Sequence, residues 1–211
     1  MSSGFAFGFP IPDSRFPIPD SRFPIPDSRF PIPDSGKVCF HRFSCASVLA
    51  MSDSGSVPFQ SAVLIRPYTL DDWPRLCEIH DRARLEELKL SANPAAFRSL
   101  ARTAHSEGLF EGRLDVGLLD GVVQGFVAYQ RHTLNWLYVH PDAYRRGVGR
   151  SLLRHALADC GPVVGTQALA GNEPALRLYR SEGFVEIERR NGRLAGSDEF
   201  PAVGVILRRW R

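Results

Sequence analysis

From Phe9 the chain reads F-P-I-P-D-S-R three times and then F-P-I-P-D-S-G, four tandem heptads that end at Gly36. Every heptad carries two prolines, and each proline removes a backbone donor and locks φ, so neither a helix nor a central strand can propagate through the tract. Residues 1–50 are therefore expected to be a low-complexity, disordered or polyproline-like segment. A ligand for a proline-recognising domain is the functional alternative, but P-I-P-D lacks the P-x-x-P core and basic flank of such ligands. Repetition this faithful at the residue level also fits translated noncoding DNA. With Met51 opening M-S-D-S-G-S-V-P, the expectation is that the natural start is Met51. Mass spectrometry of the native N-terminus checks it, and any peptide from Phe9 to Lys37 refutes it.

Folding is thereby confined to residues 62–211, behind a polar lead-in over 51–61. Eight of the 16 prolines and eight of the 14 phenylalanines fall in the first 50 residues, so whole-chain composition overstates what can pack in the remainder. The net charge of +3 is too small to argue for nucleic-acid or membrane-surface binding. The longest uncharged apolar runs, such as Gly161 to Ala170, reach about half the length that crosses a bilayer. The four cysteines, Cys39, Cys45, Cys77 and Cys160, show no C-x-x-C and no paired histidines, so no metal site is expected. The absence of disulfide density makes a reducing cytoplasm the expected compartment.

Periodicity orders the rest. Ala62 to Arg66 is β-branched and strand-like. Thr69 is a plausible N-cap for a helix from about Leu70 to Leu88, with Trp73, Leu76, Cys77, His80 and Ala83 at helical spacing. A second helix is expected after Asn93-Pro94, to about His105. Leu114–Leu119 and Val122–Gln130 read as strands joined by an Asp120-Gly121 hairpin turn, and Leu134–Val139 as another strand. The period then changes to 3.6, with Val148, Leu152, Leu153, Ala156 and Leu157 as one apolar stripe closed by Gly161-Pro162. A strand over Val163–Leu169, a helix over Asn172–Glu182 and strands over Phe184–Arg189 and Val203–Arg209 complete the pattern. Hairpins combined with crossover helices predict a mixed α/β (α+β) fold, a twisted mixed sheet of about six or seven strands flanked by about four helices.

The junction L-N-W-L-Y-V-H-P-D-A-Y-R-R-G-V-G-R-S-L-L, residues 134–153, runs from strand through turn into helix. Gly147 and Gly149 let a ligand approach the backbone, and a helix starting there presents unpaired N–H groups and a positive dipole end, a combination that binds phosphate. Arg145, Arg146, Arg150 and Arg154 add positive charge nearby. The same pattern alone also describes a glycine-relieved turn before a solvated basic helix face. Followed by N-E-P-A-L-R-L-Y-R-S-E-G-F from Asn172, however, it resembles the GNAT acetyltransferase superfamily, and the resemblance spans roughly Val63 to Arg211.

That resemblance implies a GNAT-like fold and acetyl-coenzyme A as acetyl donor. Its pyrophosphate would lie on the amides from Arg145 and Arg146 through Gly147, Val148, Gly149, Arg150 and Ser151. Its pantetheine arm would run alongside Leu137, Tyr138 and Val139, pairing with Leu137 and Val139. Asn172 would touch the pantetheine or cap its helix, and Tyr179 would stand beside the thioester sulfur as the catalytic residue. The chain departs from the family at Tyr144, where glutamine or arginine usually precedes the first glycine by three residues.

An alkylammonium is only ~0.04% neutral at pH 7, so attack on a thioester needs a proton acceptor. Many family members place a carboxylate on the strand matching Leu134–Val139; here the polar residues are Asn135 and Tyr138. His132, Glu78, Asp81 or a water chain are the candidate substitutes, and the first-helix acids, including Glu86 and Glu87, are candidates to attract the amine. The reading is an N-acetyltransferase acting on a primary amine of a small molecule or peptide, with a homodimer as the candidate assembly and no nucleic-acid or membrane partner. The alternatives are a non-catalytic coenzyme A-binding regulatory module and a nucleotide-binding protein; the second lacks the lysine and hydroxyl of G-x-x-x-x-G-K-[S/T].

Overall fold

The computed structural model describes residues 6–7, 62–194 and 197–211. The repeat tract lies outside these residues, so the expectations for it do too. Only Ala6–Phe7 (β1) is described before residue 62, as a two-residue strand parallel to Arg193–Leu194. The chain continues through β2 (Leu64–Pro67), α1 (Trp73–Ser91), α2 (Leu100–Thr103), β3 (Arg113–Leu119), β4 (Val122–Gln130) and β5 (Thr133–Val139). It ends with α3 (Val148–Asp159), β6 (Val163–Leu169), α4 (Glu173–Ser181), β7 (Val185–Leu194) and β8 (Ser197–Trp210). Apart from β1, the seven strands and four helices match the predicted layout and its β α α β β β α β α β β order.

One mixed sheet results, ordered β1-β7-β8-β6-β5-β4-β3-β2. Neighbours that follow each other through tight turns pair antiparallel, whereas β5 and β6, joined through α3, pair parallel, as a helical crossover requires. The apolar stripe of α3 packs with Leu176 and Tyr179 of α4 against Val127, Val164 and Leu207 on one face of the sheet. Leu76 and Ile79 of α1, with Leu100 and Leu109, cover Phe126, Ala128 and Trp136 on the other. Alternate residues of β4 thus serve opposite layers, the period of two that a doubly covered strand must show.

Several boundaries differ from the sequence reading, each for a local reason. The first helix begins as a 3-10 turn, Leu70–Asp72, closed by a capping box between Thr69 and Asp72, and α1 then runs to Ser91. The expected second helix is broken into a 3-10 turn, Pro94–Ala96, and the four-residue α2. Asn93 caps the first, Phe97 is extended, and the amide of Leu100 is taken by Asp81 of α1 at 2.8 Å. Pro67 ends β2 rather than stopping it, a place where its missing donor is tolerated. The final hairpin is longer than predicted because Glu186–Gly192 is largely exposed and held by its ladder to β8, and so is free of any apolar alternation.

The sheet positions the site through two irregularities. β5 and β6 are paired only at Thr133↔Gly165, so past that point a gap opens between the two central strands. A bulge in the β4–β5 ladder leaves Asn135 without an opposite residue. It reverses the alternation: Leu134, Leu137 and Val139 pack toward α3 and α4, while Trp136 and Tyr138 face α1.

Candidate active site

The gap is walled on one side by the edge of β5. The His140 amide donates to Gln124 O on β4 at 2.7 Å. With period two, Tyr138 also directs its peptide groups toward β4, and Leu137 and Val139 direct theirs into the gap, where no strand receives them. His140 is 3% exposed, and its Nδ1 accepts from the Asp142 amide across the turn Pro141–Ala143. Arg82 of α1 clamps the same turn through Asp142 at 3.0 and 3.1 Å.

The turn then bends twice through the left-handed region, at Arg145 (φ 64°) and Gly147 (φ 87°), before α3 starts at Val148. The second bend suits glycine, which adopts it without Cβ strain. The first-turn amides of Val148, Gly149 and Arg150 have no intrahelical acceptor, and Ser151 is the first to bond back, to Gly147 O at 3.0 Å. A Cβ on Gly149 would lie 3.3 Å from Val139 Cγ2 and 3.5 Å from Leu178 Cδ2, filling the space between β5, α3 and α4.

The arginines around this turn are mostly engaged with the protein. Arg146 pairs with Asp120 at 2.8 Å, and Arg150 and Arg154 share Glu182 at 3.1 and 2.8 Å. Arg145 has no ion pair among the described residues. The groups this turn leaves free are therefore chiefly backbone amides, which do not depend on the side chain at Tyr144. Val148 is 1% exposed, so its side chain belongs to the core and only its amide faces the turn.

On the far side of the gap, Asn172 Oδ1 caps α4 by accepting from the Ala175 amide at 3.2 Å, while its Nδ2 donates to Glu87 Oε1 at 3.1 Å. Tyr179, one of the buried residues of α4, packs edge-on against Phe184 at 5.5 Å. Its hydroxyl contacts Thr166, the first residue of β6 past the point where the strands part, and burial pushes its pKa up to about 12.

Tyr138 lies apart from this group. Its ring faces α1, edge-on to His80 at 4.8 Å, and its hydroxyl donates to Glu87 Oε2 at 3.3 Å. There a cavity of about 110 Å³ opens, lined in part by Arg84, Glu87, Arg98, Glu107, Asn135 and Trp136. Glu87 is held by Arg84 at 2.6 Å in addition to Tyr138 and Asn172. Burial raises the pKa of Glu107, against the opposing pull of Arg84. The proton acceptors that the sequence offers have structural partners instead. His132 Nδ1 lies 3.2 Å from Val163 O, Glu78 is bound to Arg75 at 2.6 Å, and Asp81 holds His80 and the Leu100 amide. Glu107 and Arg98 on an irregular segment and Arg84 on α1 gave no sequence signal, because a charge in a helical stretch looks the same whether it faces water or a cavity.

Residues 111–186 match the family model described as an acetyltransferase (GNAT) domain. Over 75 residues the chain is 41% identical to the N-alpha-acetyltransferase RimI of Mycobacterium tuberculosis, covering 34% of this chain and 46% of that protein. Over 104 residues it is 32% identical to the L-amino acid N-acyltransferase MnaT of Escherichia coli, covering 43% and 55%. The chain thus spans about half the length of these curated relatives. The structure of yncA from Salmonella typhimurium, solved with acetyl-CoA as its cofactor, shares the fold at a TM-score of 0.54 and 20% identity, over 71% of this chain and 94% of that one. Residues 111–186 are thus similar to an acetyltransferase (GNAT) domain, and the parted central strands and the amide-lined helix start belong to a fold shared with solved GNAT structures.

Proposed function

We propose that this protein is an acetyl-CoA-dependent N-acetyltransferase that transfers the acetyl group to a primary amine. The observation that carries the reading is the pairing of an unfilled β5 edge with the unpaired first-turn amides of α3. A pantetheine arm is an extended amide chain that can complete the edge, and a pyrophosphate is the anion such amides attract. The absent side chain at Gly149 keeps the passage between them open.

Acetyl-CoA bound there supplies an activated thioester near the vertex of the gap. The inward-facing peptide groups of Val139 place a donor where the carbonyl oxygen gains charge during attack. Tyr179, protonated throughout the physiological range, donates a hydrogen bond to the departing thiolate. The amine approaches from the α1 side, where Glu87 and Glu107 provide carboxylates that the strand itself lacks, and the ammonium proton leaves toward that cavity. Among the described residues no helix is long and apolar enough to cross a membrane, and the cysteine usage favours action in the cytoplasm.

Calorimetry of the full chain with acetyl-CoA, coenzyme A and ATP tests the site, and thiol release over an amine panel tests the chemistry. Heat with both coenzyme A forms and thiol release with at least one amine are expected. Silence with both coenzyme A forms overturns the reading, and binding without turnover on any amine replaces the enzyme with a cofactor-binding module.

A further inference from the structure

The cavity on the α1 face carries more information than the presence of a carboxylate. Arg84 and Glu87 cancel each other in a 2.6 Å ion pair. That leaves two charged side chains unmatched among the described residues. The Arg98 guanidinium donates only to the neighbouring Phe97 O, at 2.9 Å, and the Glu107 carboxyl makes no hydrogen bond or ion pair and meets Arg84 only through a longer-range attraction. Two neutral polar atoms are unmatched as well. Trp136, 4% exposed, buries its Nε1 donor without a partner, and Asn135 buries an unpartnered Oδ1. The β5 bulge accounts for both, since the extra residue turns Asn135 and Trp136 together toward α1.

A buried unsatisfied donor or acceptor is costly, and a ligand that satisfies it removes that cost on binding. The four unmatched groups are one cation, one carboxyl, one donor and one acceptor. They call for a ligand carrying an anionic acceptor group and a cationic donor group at once. The cavity is smaller than the ~300 Å³ at which drug-sized pockets begin, and so suits a small polar head group. A diamine would set its second ammonium against Arg98, and a peptide N-terminus would offer a neutral amide where Arg98 and Trp136 Nε1 present donors.

We infer that the acceptor is a free amino acid, its carboxylate held by Arg98 and Trp136 Nε1 and its reacting amine by Glu107 and Asn135 Oδ1. This inference rests on the acetyl-transfer reading for the direction from which the amine meets the thioester. Its recognition chemistry stands separately, in side chains outside the cofactor gap.

The test is calorimetry on the full chain saturated with coenzyme A, which binds without donating. The common amino acids are titrated in turn, followed by the amide and the decarboxylated amine of the tightest binder. At least one amino acid binds, and its amide and amine counterparts bind tenfold or more weakly. Arg98→Ala weakens the amino acid at least tenfold and the amide less than twofold, with the heat of coenzyme A binding serving as the check on folding. Should that variant fail to fold, Trp136→Phe, which keeps the ring and deletes the donor, is expected to narrow the same preference. Absence of heat with every amino acid, equal binding of the amide or amine, or an unchanged preference in the variants overturns the inference. If acetyl-CoA and coenzyme A themselves give no heat, the acetyl-transfer reading fails on its own account. The amino-acid titration of the unliganded protein then still decides the fate of the cavity.

Discussion

Replacing Tyr179 by phenylalanine isolates one hydroxyl in an otherwise preserved environment. The ring keeps its edge-on contact with Phe184 at 5.5 Å, and Thr166 keeps its own bond to Leu134 O at 3.0 Å. Burial holds the hydroxyl at a pKa of about 12, against ~8.5 for an ordinary thiol, so full proton transfer to a thiolate is uphill by ~4.8 kcal/mol. The hydroxyl therefore acts by donating a hydrogen bond to a group that becomes charged only as the bond breaks. Such bonds contribute ~1.5–3 kcal/mol, so kcat should fall by roughly 10- to 150-fold. Since the bond forms to the leaving group and not to bound thioester, the KM for acetyl-CoA should stay within a factor of about two. Because the group keeps its proton up to about pH 12, wild type and variant should share one pH profile and differ in height alone. Steady-state thiol release across pH 6–10 reads all three quantities. A variant with wild-type kcat, or one whose defect lies in KM with kcat intact, refutes the role and leaves Tyr179 as packing only.

Gly149→Glu should abolish coenzyme A binding by calorimetry while the domain stays folded, because the new side chain enters the space bounded by Val139 and Leu178 at 3.3 and 3.5 Å; unchanged affinity would displace the cofactor site from this turn. Asp72 accepts from Arg66 at 2.7 Å and from the Thr69 amide at 2.9 Å, and these bonds, led by Arg66, hold its carboxyl at about 2 instead of 3.8. That difference corresponds to ~2.4 kcal/mol, reduced to roughly 1–2 kcal/mol because Arg66 is about a third exposed. The folded-state pKa is the lower one, so the stabilisation is present above pH ~4 and disappears as pH falls from ~4 to ~2. Asp72→Asn should therefore lose stability in urea at pH 7 and lose progressively less below pH 4; a deficit independent of pH would disprove the ionic origin.

The residues proposed for the cofactor side act locally, and local features survive in a sequence. A helix start at a glycine N-cap presents free first-turn amides whatever surrounds it. The stripe Val148, Leu152, Leu153, Ala156 and Leu157 must be buried in any fold that uses it, and all five are. Asp120 and Gly121 take the positive φ values, 54° and 78°, that a two-residue hairpin demands. Asn172 could be identified as a cap because capping depends only on its side chain and the amide three residues on.

The acceptor side depended on contacts between segments distant in the chain. Asp81 was read as a candidate base and instead caps α2, a role settled by where α1 meets Leu100. Arg98 sits in a stretch expected to be one regular helix, with Glu107 just past its expected end, and the break at Phe97 decides which way the Arg98 charge points. The β5 bulge has no signature in L-N-W-L-Y-V, because an extra residue is defined by the partner strand that fails to match it. The sequence by itself determined the order of elements, the glycine-relieved helix start with its free amides and the place of Tyr179 on α4, since each follows from periodicity or backbone geometry within a few residues. Only the tertiary structure decided how far β5 and β6 part and which charges remain unmatched beneath α1, because both follow from the register of strands brought together by folding.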